Sequence, residues 1–152
     1  MNVRLKTLVN FRLSGDCQTH SRTNVTVDNH QLMIDEPESR GGTDMGASPV
    51  ATILASLVGC TNRITNKVAE RNGITIDNLE VKIDAKFDRR CLEEDLPVPI
   101  PSIDVYIEMT TLASDDDIAV IKRELPIYCP VSKIFRQAGT EVNDIWTIVR
   151  PS

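Results

Sequence analysis

Residues 48–72 carry apolar side chains every three or four positions, whereas the segments on either side alternate every second position. That change of period restricts the chain to helices and strands in separate blocks. Ser48 offers an N-cap with Pro49 at the first helical position, and Ile53, Leu54, Leu57, Cys60, Thr61, Ile64 and Val68 share one stripe. The spacing predicts a long helix to about Asn72, with Gly73 as its C′ residue. Before it, 3–13 alternates through Val3, Leu5, Thr7, Val9, Phe11 and Leu13, Gly15-Asp16 reads as a turn, and 21–28 and 31–34 read as two more strands. Together they predict an antiparallel meander. Residues 36–46 contain Pro37, Gly41, Gly42 and Gly46 and read as a loop.

Beyond the helix, 78–88 and 102–111 alternate as strands. Pro97, Pro99 and Pro101 lie between them and exclude a central strand there, leaving an exposed connection. Asp115, Asp116 and Asp117 place negative charge where a helix N-terminus favours it, Ile118, Ile121 and Leu125 continue with helical spacing, and Pro126 is expected to end or kink that helix. Cys129-Pro130 opens a shorter helical piece that Gly139 stops, and 144–149 reads as a final strand. The order β-β-β-α-β-β-α-α-β has no repeated βαβ unit, so the class is α+β. With 152 residues and no repeat or linker, one domain over 1–152 is expected. Aromatic residues are 4% of a chain that is 41% apolar, so its core must be aliphatic.

The net charge of −5, with no basic cluster denser than Arg89-Arg90 or Lys122-Arg123, argues against a nucleic-acid partner. Residues 1–11 hold Arg4 and Lys6 inside an alternating pattern, and no run of roughly 18 apolar residues occurs. A cytoplasmic protein without a membrane partner is the expectation. Cys17, Cys60, Cys91 and Cys129 lack zinc-site spacing, and His20 and His30 have no second ligand nearby, so neither metal nor cofactor is expected. A reducing compartment disfavours structural bridges, which leaves reactive or buried thiols.

Cys60 lies on the apolar stripe of the long helix, where a small core residue is the simpler reading. Cys129 precedes Pro130 at a helix N-terminus, where orphan N–H groups and the macrodipole favour a thiolate; a cap residue is the alternative. On pattern alone Cys129 is the more plausible thiolate of the two. Their separation in sequence says nothing about distance in space.

The run Gly41-Gly42-Thr43-Asp44-Met45-Gly46-Ala47-Ser48-Pro49, continuing into Leu54-Ala55-Ser56-Leu57-Val58-Gly59-Cys60-Thr61, resembles the loop and central helix of OsmC/Ohr proteins, as does Tyr128-Cys129-Pro130-Val131-Ser132. The resemblance implies an intertwined homodimer, with long central helices packed on antiparallel sheets and active sites at the subunit interface. It implies a thiol peroxidase of organic hydroperoxides, with Cys60 as the peroxidatic thiol, Cys129 resolving it as a disulfide, and a dithiol or a lipoyl protein as reductant. Arg22, in His20-Ser21-Arg22, matches the family's catalytic arginine better than Arg12, and a surface strand arginine is its plainer reading. Asp44 and Leu57 are the candidate substrate-binding residues. The family's peroxidases carry a glutamate just after the helix-opening proline, where Pro49-Val50-Ala51-Thr52 stands here, and Asp44 is the candidate substitute. That absence motivates the alternative of a redox-sensing or small-ligand-binding dimer with little peroxidase activity. Cys17 and Cys91 have no part in the implied mechanism.

Overall fold

The computed structural model describes residues 7–151, which divide into two compact units between Ile53 and Leu54. The first holds strands β1 (Leu13–Cys17), β2 (Thr23–Val27) and β3 (His30–Ile34), each antiparallel to the next. The predicted strand over 3–13 is corrected: its first part lies outside the described residues, 7–12 form no strand, and β1 runs straight through Gly15-Asp16. The turn comes later. Thr19 Oγ1 accepts from the N–H groups of Ser21 and Arg22, so a threonine side chain makes the reversal that the glycine seemed to offer. Between β2 and β3 the chain turns at Asp28, at φ 51°, a conformation that aspartate tolerates.

The loop that follows is built around Asp35. Gly42 passes so close to Glu36 that a Cβ there would lie 1.8 Å from the Glu36 carbonyl oxygen, and only glycine fits. Helix α1 (Pro49–Arg71) then starts in the first unit and runs into the second. Ser48 Oγ accepts from Ala51 N–H as predicted, and Gly73 adopts φ 68° beyond the last turn.

The second unit adds β4 (Asn78–Lys86), β5 (Ser102–Thr110), α2 (Asp115–Tyr128), α3 (Pro130–Gln137) and β6 (Glu141–Val149). Ser114 and Asp117 form a reciprocal capping box at the start of α2. Pro126 does not end that helix, which runs two residues further: proline removes one donor near the terminus, and Leu125 O still receives Cys129 N–H at 2.9 Å. The sheet order is β4-β5-β6, and the all-antiparallel expectation is corrected in part, since β6 runs parallel to β5. A parallel pair needs a long crossover, and α2 with α3 supplies it. The last strand also begins earlier than predicted. Val142, Asp144, Trp146 and Ile148 share its more buried side, so a carboxylate on that face hid the alternation.

Every second residue of β5 (Ile103, Val105, Ile107 and Met109) is fully buried. Met109 packs with Val68 and Ala69 of α1, Ile74, and Ile118 and Ile121 of α2 in an aliphatic cluster. We expect Ile121→Ala to lose about 2–5 kcal/mol of unfolding free energy in urea, because it opens a cavity among neighbours fixed by three elements. A loss below about 1 kcal/mol would show that this cluster does not carry the unit's stability.

Candidate functional site

Two groups of side chains stand out, one in each unit. In the second unit, Leu57, Thr61, Thr65, Val68 and Ala69 form the buried stripe of α1, and Cys60 lies beside it, half-buried. Cys129 is fully buried at the elbow between α2 and α3, where it caps α3. Its N–H donates to Leu125 O at 2.9 Å and its carbonyl accepts from Lys133 N–H at 3.0 Å, so the backbone is held from both helices. The two sulfurs approach to 3.1 Å, with Cys129 Sγ donating to Cys60 Sγ, and both thiols are free.

The expectation that Cys129 is the readier thiolate is corrected here. Burial pushes its thiol up to about 12, the neighbouring Cys60 adds to the rise, and Ser132 N–H, reaching the sulfur at 3.5 Å, offsets only part of it. A helix N-terminus lowers a thiol's pKa and burial raises it, and at this elbow burial prevails. Cys129 therefore keeps its proton and donates it in the hydrogen bond to Cys60.

Residues that the sequence reading missed support this arrangement. Ser132 Oγ accepts from Arg136 Nε at 3.1 Å, and Arg136 Nη2 pairs with Asp144 at 3.2 Å, tying the first turn of α3 to β6. Burial raises the Asp144 carboxyl, and Arg136 pulls it back. The signal was an acid on the buried side of a strand with an arginine on the helix before it. Ile64, one turn beyond Cys60, and Tyr128, beside Cys129, line a cavity of about 130 Å³ with Lys67, Val68 and Arg71. Arg71 lies 4.3 Å from the Tyr128 ring and pairs with Glu124.

In the first unit Arg22 is half-buried, with Nε donating to Gln18 Oε1 at 3.0 Å and Nη1 to Thr43 Oγ1 at 3.1 Å. Thr43 Oγ1 in turn donates to Asp35 Oδ2 at 2.5 Å. Asp35 is fully buried and also accepts from the N–H groups of Glu36 at 2.8 Å, Thr43 at 3.1 Å and Met45 at 3.1 Å. Burial by itself would raise this carboxyl, but these donors outweigh it and hold the group at about 2. Asp44 is exposed at φ 54°, and its carboxylate has no hydrogen-bond or ion-pair partner among the described residues. The first turn of α1 contains no acid, and Leu57 is fully buried. Among the described residues no group of His, Cys, Asp and Glu is placed to hold a metal ion, and no helix is long and apolar enough to cross a membrane.

These features define an α+β protein with a buried thiol donating to a more accessible one. The family described as OsmC-like protein matches residues 41–143, and the chain belongs to that family. Among solved structures, an OsmC-like protein from Mycoplasma pneumoniae is 19% identical, with 93% of this chain and 98% of that one covered at a TM-score of 0.80. An organic hydroperoxide resistance protein OsmC from Legionella pneumophila is 15% identical, with 94% and 98% covered at 0.66. The organic hydroperoxide resistance protein OhrB of Bacillus subtilis is 18% identical, with 91% and 98% covered at 0.58. At these identities the structures show a common fold. A comparison with curated proteins found no match.

The hydrogen bonds to Asp35 carry a pH signature. Its carboxyl is lowered from 3.8 to about 2 on folding, so its contribution to stability is complete above 3.8 and is lost as pH falls through about 2. Urea midpoints between about pH 5 and about pH 2 should fall more steeply for the wild type than for Asp35→Asn. Parallel curves would overturn the assignment.

Proposed function

We propose that this protein is a thiol-dependent peroxidase of organic hydroperoxides, with Cys60 as the attacking sulfur and Cys129 as its resolving partner. The observation that carries the reading is the 3.1 Å approach of a half-buried thiol to a fully buried one within the OsmC-like fold. The hydroperoxide resistance named for relatives of the same fold supports the substrate class.

In this reading the Cys60 thiolate attacks the outer peroxide oxygen, the O–O bond breaks, and the alkoxide takes a proton and leaves as an alcohol. The Cys60 sulfenic acid then meets Cys129, whose sulfur forms the disulfide as the sulfenic oxygen departs as water, carrying the Cys129 proton. An external dithiol, or a lipoyl protein, returns both sulfurs to thiols by exchange and is itself oxidised. Before attack, the hydrogen bond from Cys129 stabilises negative charge on Cys60, and Arg22 takes the part of the family's arginine as the cation that the thiolate needs. Asp44 and Leu57 remain the proposed substrate contacts. The working unit is a homodimer, a reading supported by the exposure of Leu8 (86%), Phe11 (77%) and Leu13 (60%) in close succession. A cytoplasmic site of action fits the need for a thiol reductant.

A second reading keeps the dimer and the thiols but makes it a redox sensor or small-ligand binder, favoured by the absence of an acid in the first turn of α1. Turnover separates the two. Consumption of an alkyl hydroperoxide with a dithiol should fall to background in Cys60→Ser. One equivalent of hydroperoxide without reductant should lower the intact mass of wild type by two hydrogens, and Cys129→Ser should instead gain oxygen. Wild-type consumption no faster than that of Cys60→Ser would sink the peroxidase.

A further inference from the structure

We propose that Asp35, acting through the Thr43 hydroxyl, is the positioning acid of Arg22, in place of an acid on the helix that follows. The inference rests on the reading of Arg22 as the cation that serves Cys60, but its geometry lies wholly within the first unit. Among the described residues no carboxylate forms an ion pair with Arg22, and the first turn of α1 supplies none. The guanidinium instead meets two neutral oxygens, Gln18 Oε1 on Nε and Thr43 Oγ1 on Nη1. Two acceptors on different nitrogens fix both the direction and the plane of the group.

A threonine hydroxyl is a dependable acceptor only when its own proton is committed elsewhere. The Thr43 proton goes to Asp35 Oδ2 at 2.5 Å, which turns the oxygen's lone pairs toward Arg22. Asp35 cannot swing away, because it is fully buried and the N–H groups of Glu36, Thr43 and Met45 hold both its oxygens. The close passage of Gly42 over Glu36 fixes the same loop from the other side.

The relay has an electrostatic consequence. A carboxylate in direct contact would neutralise the guanidinium, whereas one placed behind a hydroxyl orients it and leaves more of its positive charge available. Nη2 and the second Nη1 hydrogen have no partner among the described residues. They are the donors left for an anion, which in the proposed function is the thiolate or the peroxide oxygen.

The test separates positioning from loop structure, because Thr43→Val removes the hydroxyl and leaves Asp35 its three backbone donors. In the full-length chain, the Arg22 side-chain NMR resonances, assigned with Arg22→Lys, should be resolved in wild type and collapse to fast rotation in Thr43→Val. The same variant should lower kcat/KM for an alkyl hydroperoxide about tenfold or more, mainly through kcat, the scale of one hydrogen bond to a charged group. Thr43→Ser should restore both. Unchanged Arg22 resonances in Thr43→Val, or full activity there while Arg22→Ala is inactive, would overturn the relay. Full activity in Arg22→Ala would overturn the role of Arg22 in catalysis, and the resonances would still decide the positioning. Thr43→Ala gives the same comparison if Thr43→Val does not fold.

Discussion

The elbow at Cys129 is the constraint on which the second unit depends. One residue closes α2 through its N–H, opens α3 through its carbonyl, and presents its sulfur to Cys60. Because the chain bends there without leaving the crossover, β6 returns parallel to β5, and Val142 pairs with the buried Ile103. Leu125 and Ile121, on the helix leading to the elbow, are themselves buried, so packing sets where the second thiol lies. The thiol pair is thus a consequence of the crossover and not of a local motif.

Burial has opposite results at Asp35 and Cys129. Asp35 and Cys129 are both removed from water, and in each case burial alone disfavours the charged form. Asp35 keeps its charge because three N–H groups and a hydroxyl converge on it. Sulfur is a weaker acceptor, and the N–H groups of Ser132 and Val131 do not outweigh the burial of Cys129, so it keeps its proton. One group becomes a fixed anion that organises a loop. The other becomes a hydrogen-bond donor to its neighbouring thiol, which suits a resolving cysteine better than an attacking one.

Much of the fold was legible in the sequence. The period of 48–72, its cap at Ser48 and its stop at Gly73 are local properties, and α1 appears with those ends. The same holds for β4, β5 and the capped start of α2. Errors arose where a side chain's partner lay elsewhere in the chain. Gly15 reads as a turn although β2 pairs across it, and Asp144 reads as the start of a strand although it is a half-buried position within one, answered by Arg136. Thr43 stands in the sequence only as part of a glycine-rich motif and Asp35 in no motif at all, since nothing in their spacing reveals the hydrogen bond between them.

By itself the sequence determined α1, β4, β5 and the capped start of α2, that the core is aliphatic, and that two cysteines sit in motifs resembling those of a thiol family. Those properties follow from neighbours three or four residues apart, or from composition, and need no knowledge of the fold. Only the tertiary structure decided the parallel return of β6, the 3.1 Å approach of Cys60 and Cys129, and the burial that pushes the Cys129 thiol up. The reason is physical: solvation and hydrogen bonding depend on which distant groups converge in space, and burial at the elbow overrode the local helix-end field that had pointed to a thiolate at Cys129.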